Sequence, residues 1–106
     1  MAQFDVHRNT GRLRETVPFV VIVQSSQFDR YRRRVVVPLV KADTAGATPL
    51  AGLNPTFRIR NVRVVLHPLD LVSMPVDQLG ECVDSLADSA EAIVAALDEV
   101  FTRAWR

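Results

Sequence analysis

The chain has 106 residues, 48% of them hydrophobic and 24% charged, with four Gly, six Pro and a net charge of +1. That length fits one domain, residues 1–106, and leaves no room for a second folded unit; the composition excludes disorder and low complexity. The longest apolar runs, 17–23 and 35–40, are interrupted by Pro18 and Pro38 and fall far short of the roughly 20 residues of a membrane helix, and the opening Met-Ala-Gln-Phe-Asp-Val lacks the basic and apolar blocks of a secretory signal, so a cytoplasmic protein is expected.

Phe4 and Val6 alternate with Gln3, Asp5 and His7, which predicts a first short strand. Asn9-Thr10-Gly11 signals a turn, and Arg12, Arg14 and Glu15 belong to an exposed loop. Residues 19–23 are β-branched or aromatic, the composition of a buried strand. Four Arg then surround Tyr31 in the segment 30–34, and a strand at Val35-Val36-Val37 is limited by Pro38. Small residues from Lys41 to Leu53 predict a long surface loop. Phe57-Arg58-Ile59-Arg60 alternates, with Phe57 and Ile59 facing inward; Asn61 turns the chain, and residues 63–67 return as a strand. Leu69, Leu71 and Val72 predict a further short strand.

Only the last quarter has helical period. Ile93, Val94, Leu97, Val100, Phe101, Ala104 and Trp105 recur at spacings of three and four and predict one apolar stripe, with Glu91, Asp98 and Thr102 opposite. Asp88-Ser89-Ala90-Glu91 fits a capping box with Asp88 at the cap. Strands followed by one C-terminal helix predict an α+β domain.

Charge is divided along the chain. Residues 1–63 hold ten Arg and Lys41 against four acids, a net +7; residues 64–106 hold two Arg against eight acids, a net −6. A basic sheet face beside an acidic helix is expected. The cluster 30–34 fits either a nucleic-acid contact or a charged hairpin edge that resists aggregation. No phosphate-binding glycine loop or nucleophile elbow occurs. His7 and His67 lie in strand-like sequence, and Cys82, between Glu81 and Val83, is expected as a small core residue. One Cys and two scattered His are too few for a structural zinc site. No catalytic residue, metal or cofactor is expected.

Several short motifs, taken in order, resemble the CcdB family of bacterial toxins. They are Gln3-Phe4 with Val6; Val23-Gln24-Ser25; Arg33-Arg34-Val35-Val36-Val37-Pro38-Leu39; Asn54-Pro55 with Ile59; Ser73-Met74-Pro75-Val76; Leu79-Gly80-Glu81; and Asp84-Ser85-Leu86 before the helix. Each is short, but their order and spacing run through nearly the whole chain. The resemblance implies an SH3-like barrel of antiparallel strands with a small accessory sheet and a C-terminal helix, assembled as a homodimer. It implies a toxin that traps DNA gyrase on cleaved DNA by entering a cavity of the gyrase A polypeptide, is neutralised by a CcdA-like antitoxin, and reaches operator DNA only through that antitoxin.

On this sequence the gyrase-facing positions implied are Gln27, Phe28, Asp98, Phe101, Thr102, Arg103, Ala104 and Trp105. The antitoxin-facing positions implied are His7, Arg8, Asn9, Arg12 and Arg14. The family's poisoning tail ends in Gly-Ile; here Arg103-Ala104 stands in that place and Trp105-Arg106 extends beyond it. Two alternatives remain at the level of sequence. One is an endoribonuclease of the related MazF type, using Arg60, Arg63 and His67; the other is a retargeted, non-toxic member that binds only its antitoxin.

Overall fold

The computed structural model describes residues 1–44, 49–50 and 52–101. Its strands are β1 (Asp5–Arg8), β2 (Phe19–Ile22), β3 (Arg33–Lys41), β4 (Thr56–Ile59), β5 (Val62–Leu66), β6 (Val72–Pro75) and β7 (Cys82–Ser85), followed by helix α1 (Ala90–Phe101). Every pairing among the described residues is antiparallel, in the order β4-β5-β3-β2-β1-β7, with β6 also on β3. The sheet curls into a half-barrel, the α+β architecture expected. Its two ends approach each other, since Arg60 Nε beside β4 donates to the Val83 carbonyl of β7 at 3.2 Å.

The apolar run 19–22 is buried along its whole length because the sheet carries apolar residues on both faces. Val6, Phe19, Val21, Val37, Leu39, Ile59, Val64, Leu66 and Leu86 form the principal core, which α1 closes with Ile93 and Ala96. Val20, Ile22 and Val36 form a second, smaller core beneath Met74 and Leu79. The β4–β5 hairpin turns through Arg60 and Asn61, both at positive φ (50° and 67°), and Ile59 pairs with Val62. A two-residue turn of that hand matches the strand twist, and Asn tolerates the conformation well. Ile59 is buried and Phe57 half-buried, as their alternation requires.

Several expectations are corrected by the packing. Pro38 does not limit its strand: β3 runs nine residues, to Lys41. Its first half pairs with β6 at residues 33–36 and its second with β5 at residues 39–41. Pro38 falls at the change of partner, where its missing N–H interrupts no ladder, and its carbonyl accepts from His67 N–H at 3.1 Å. The strand expected at Leu69–Val72 is a 3-10 turn, Pro68–Asp70, and the ladder begins at Val72. The first strand starts at Asp5 because Phe4 holds a positive φ of 72°.

Sequence patterning does not anticipate β7, and Cys82 within it is exposed rather than a core residue. The expected capping box is displaced, since a 3-10 turn at Ala87–Ser89 already precedes α1. Its first N–H, from Ala87, donates to Ser85 Oγ at 3.2 Å. On α1 the apolar stripe is rotated: Ala96 is buried and Val94 exposed. Ala104 and Trp105 lie outside the described residues, as do Thr102, Arg103 and Arg106.

Candidate functional site

The β2–β3 connection is a built loop. Ser25 Oγ accepts from Gln27 N–H at 3.4 Å, starting the 3-10 turn Ser26–Phe28. Gln24 ties the two arms together. Its side-chain amide donates to the carbonyls of Phe28 (3.2 Å) and Arg33 (3.3 Å), and its Oε1 accepts from Val35 N–H at 3.1 Å. Arg34, expected within a solvated basic edge, is only 5% exposed. Its guanidinium donates to the carbonyls of Tyr31 (2.6 Å), Asp29 (2.8 Å) and Arg33 (3.0 Å). Both terminal nitrogens are satisfied in this way, which makes the buried cation tolerable, whereas Nε is buried without a hydrogen bond. The Asp29 carboxylate, 4.0 Å from Nε, adds a long ion pair.

This scaffold holds aromatic side chains in water. Phe28 and Tyr31 are 43% and 66% exposed and meet edge to face, with centroids 5.9 Å apart. With Phe101, 61% exposed at the end of α1, they line one open groove of about 590 Å³ whose floor includes Val23, Val35 and Leu71. The structure therefore brings together Phe28 and Phe101, which lie 73 residues apart in sequence. Gln27 is exposed on the adjoining turn, and Asp98 is exposed one helical turn before Phe101. Sequence reasoning missed Tyr31 as a wall of the groove and Arg34 as its support. Nothing local distinguishes Arg34 from Arg32 or Arg33; only its burial does.

A second surface lies at the far end of β1. Asn9 shapes the loop that follows: its Nδ2 donates to the Val17 carbonyl (2.7 Å) and its Oδ1 accepts from Gly11 N–H (2.9 Å). Arg8 and Arg14, with Lys41, line an open basic groove of about 780 Å³ that also contains Glu15 and Asp43, and Arg12 is exposed on the same loop. Arg8 stacks over the Phe19 ring at 5.9 Å and pairs with Glu81 at 3.2 Å. His7 does not join this surface: it is 3% exposed, and its Nδ1 is bonded to the Gly80 carbonyl at 2.8 Å.

Gly80 fits against β1 because a Cβ there would stand 2.6 Å from the Arg8 carbonyl oxygen. Gly80→Ala is expected to destabilise the fold by about 1–3 kcal/mol, the usual range for forcing an extra carbon into packed backbone. Thermal unfolding of the variant measures this, and an unchanged midpoint would show that the Leu79–Glu81 segment moves freely.

The residues of the ribonuclease alternative are not brought together. Arg63 is the second residue of β5 and His67 follows the strand's end, roughly 13 Å away along an extended strand. Arg60 is committed to Val83, and His67 Nε2 is buried without a hydrogen-bond partner. Among the described residues, no helix is long and apolar enough to cross a membrane.

The family model described as CcdB protein matches residues 3–102. Among curated proteins, none matches the chain.

Proposed function

Because the chain belongs to the CcdB family, and so to the toxins of toxin–antitoxin systems, we propose that it is a binding toxin, without chemistry of its own, directed in the cytoplasm at the gyrase A polypeptide, the DNA-cleaving component of DNA gyrase. The observation that carries this reading is the groove shared by Phe28, Tyr31 and Phe101. Large aromatic side chains left in water on a rigid loop and a helix end are the usual anchors of a protein interface. Gln27 and Asp98 supply polar contacts at its margin, and Thr102, Arg103, Ala104 and Trp105, which follow Phe101 in sequence, belong to the same target-binding set.

The proposed functional unit is a homodimer, a reading supported by the exposed apolar side chains of Leu69 in the turn on which α1 packs, of Val72 after it, and of Val94 on the helix. A CcdA-like antitoxin occupies the basic groove and loop of Arg8, Asn9, Arg12 and Arg14, where an acidic segment gains charge complementarity. Operator DNA is reached only through that antitoxin.

Expression of the chain alone, with growth, supercoiling, cleaved-DNA accumulation and RNA integrity followed together, tests the reading. Growth arrest with accumulated cleaved DNA and intact RNA is the expected result. Degraded RNA with undisturbed supercoiling would establish the ribonuclease alternative. Normal growth with retained antitoxin binding would establish a retargeted member, whose sequence beyond Phe101 is not compatible with gyrase.

A further inference from the structure

We propose that Asp5, His7 and Cys82 form a binding site for a single divalent transition-metal ion of the zinc type, clamping β7 to β1. One ligand atom from each side chain is available, and the three lie within 4.8 Å of one another. Cys and His counts taken along the sequence exclude a zinc site because they omit the carboxylate and the pairing of distant strands. Asp5 and His7 are two residues apart on β1 and share one face of the sheet. The register then shifts: Val6 pairs with Asp84, but His7 pairs with Cys82, so Val83 is bulged out. Without that bulge His7 would face Val83; with it, the thiol stands opposite the imidazole.

The histidine is prepared as a ligand. Its Nδ1 is held by the Gly80 carbonyl at 2.8 Å, which assigns the ring proton to that nitrogen. Its Nε2 is buried and has no hydrogen-bond partner, in a residue only 3% exposed. A buried unpaired acceptor is costly, and a coordinated cation satisfies it. A backbone carbonyl fixing the other ring nitrogen is the usual support of a metal-bound imidazole. Asp5 Oδ2 already accepts from Ala2 N–H at 2.9 Å, which leaves Oδ1 for an ion. The Cys82 thiol makes only a long contact, 3.7 Å, to the Asp84 carbonyl.

Thiolate, imidazole and carboxylate together suit zinc and its neighbours, whereas magnesium and calcium take oxygen donors. The two anionic ligands balance a divalent charge. Three protein ligands leave a fourth tetrahedral position for water. Around an ion with bonds of about 2.0–2.3 Å, ligand atoms stand about 3.3–3.8 Å apart. Closure therefore requires movements of about 1 Å, which Asp5 and Cys82 can make from the sheet surface while buried His7 stays fixed.

The test is titration of the reduced, full-length protein with Zn²⁺ alone against a chromophoric chelator, and with Co²⁺ followed by its thiolate charge-transfer absorption. One ion per chain is expected, with the charge-transfer band present and the unfolding midpoint raised by bound ion. Cys82→Ser is expected to abolish the band, and Cys82→Ser and Asp5→Asn are each expected to weaken Zn²⁺ binding about tenfold or more. Both substitutions alter side chains outside the two apolar cores, so circular dichroism should show a retained fold. Absence of Zn²⁺ binding at about 100 μM, or unchanged affinity in Cys82→Ser, would overturn the proposal.

Discussion

Phe28→Ala and Phe101→Ala are each expected to weaken the proposed binding to the gyrase A polypeptide by about thirtyfold or more, while leaving the fold and the proposed dimer intact. Anchors of this type commonly contribute more than about 2 kcal/mol each when they enter a desolvated pocket. Phe101 is 61% and Phe28 43% exposed, and neither ring belongs to the apolar core, so their removal opens no cavity there. The two effects should couple in a double mutant, because the rings line the same groove. Calorimetric titration with a DNA-cleaving fragment of gyrase measures the loss, and sedimentation reads the oligomeric state of each variant. Wild-type affinity in both variants would remove the groove from the target interface. Loss of the dimer together with affinity would reassign Phe101 to packing between the two copies.

Arg34→Met should cost about 1.5–3 kcal/mol of stability, the range for hydrogen bonds made by a charged group. Methionine fills much of the volume of the buried stem but donates nothing to the carbonyls of Asp29, Tyr31 and Arg33. Those carbonyls then depend on water, and the arch between Ser26 and Arg33 opens. The consequence reaches the groove, because Phe28 and Tyr31 stand on that arch. Urea unfolding should show the lower midpoint, and trypsin should cut faster after Arg30 and Arg32, whose side chains are already exposed but whose backbone enters a protease only on local opening. Unchanged stability and an unchanged cleavage rate would mean that Gln24 alone holds the loop.

The amino-acid sequence by itself determined the features that depend on near neighbours. The run at 19–22 has no polar alternation, so its strand had to be covered on both faces. Phe57 and Ile59 alternate with Arg58 and Arg60, which oriented that strand, and Asn61 marked its turn. The spacing of Ile93, Leu97 and Val100 announced the helix. The order of short motifs carried the family, and with it the expectation of a barrel-like antiparallel sheet with a C-terminal helix.

Tertiary structure alone decided the rest, because the decisive partners are distant in the chain. The His7 bond to Gly80 and the Arg8 pair with Glu81 each span 73 residues. β7 has too little apolar character to declare itself, and it exists because β1 offers an open edge. Cys82 is exposed, and set against His7, only because a bulge removes Val83 from the register. Pro38, which by local rule should end a strand, is tolerated where β3 exchanges β6 for β5. Arg34 is chemically the same as its neighbours in the basic cluster, and its burial follows from the carbonyls that the folded loop turns toward it. Local propensity acts over a few residues, whereas strand pairing and the satisfaction of buried polar groups are settled only when the whole sheet closes.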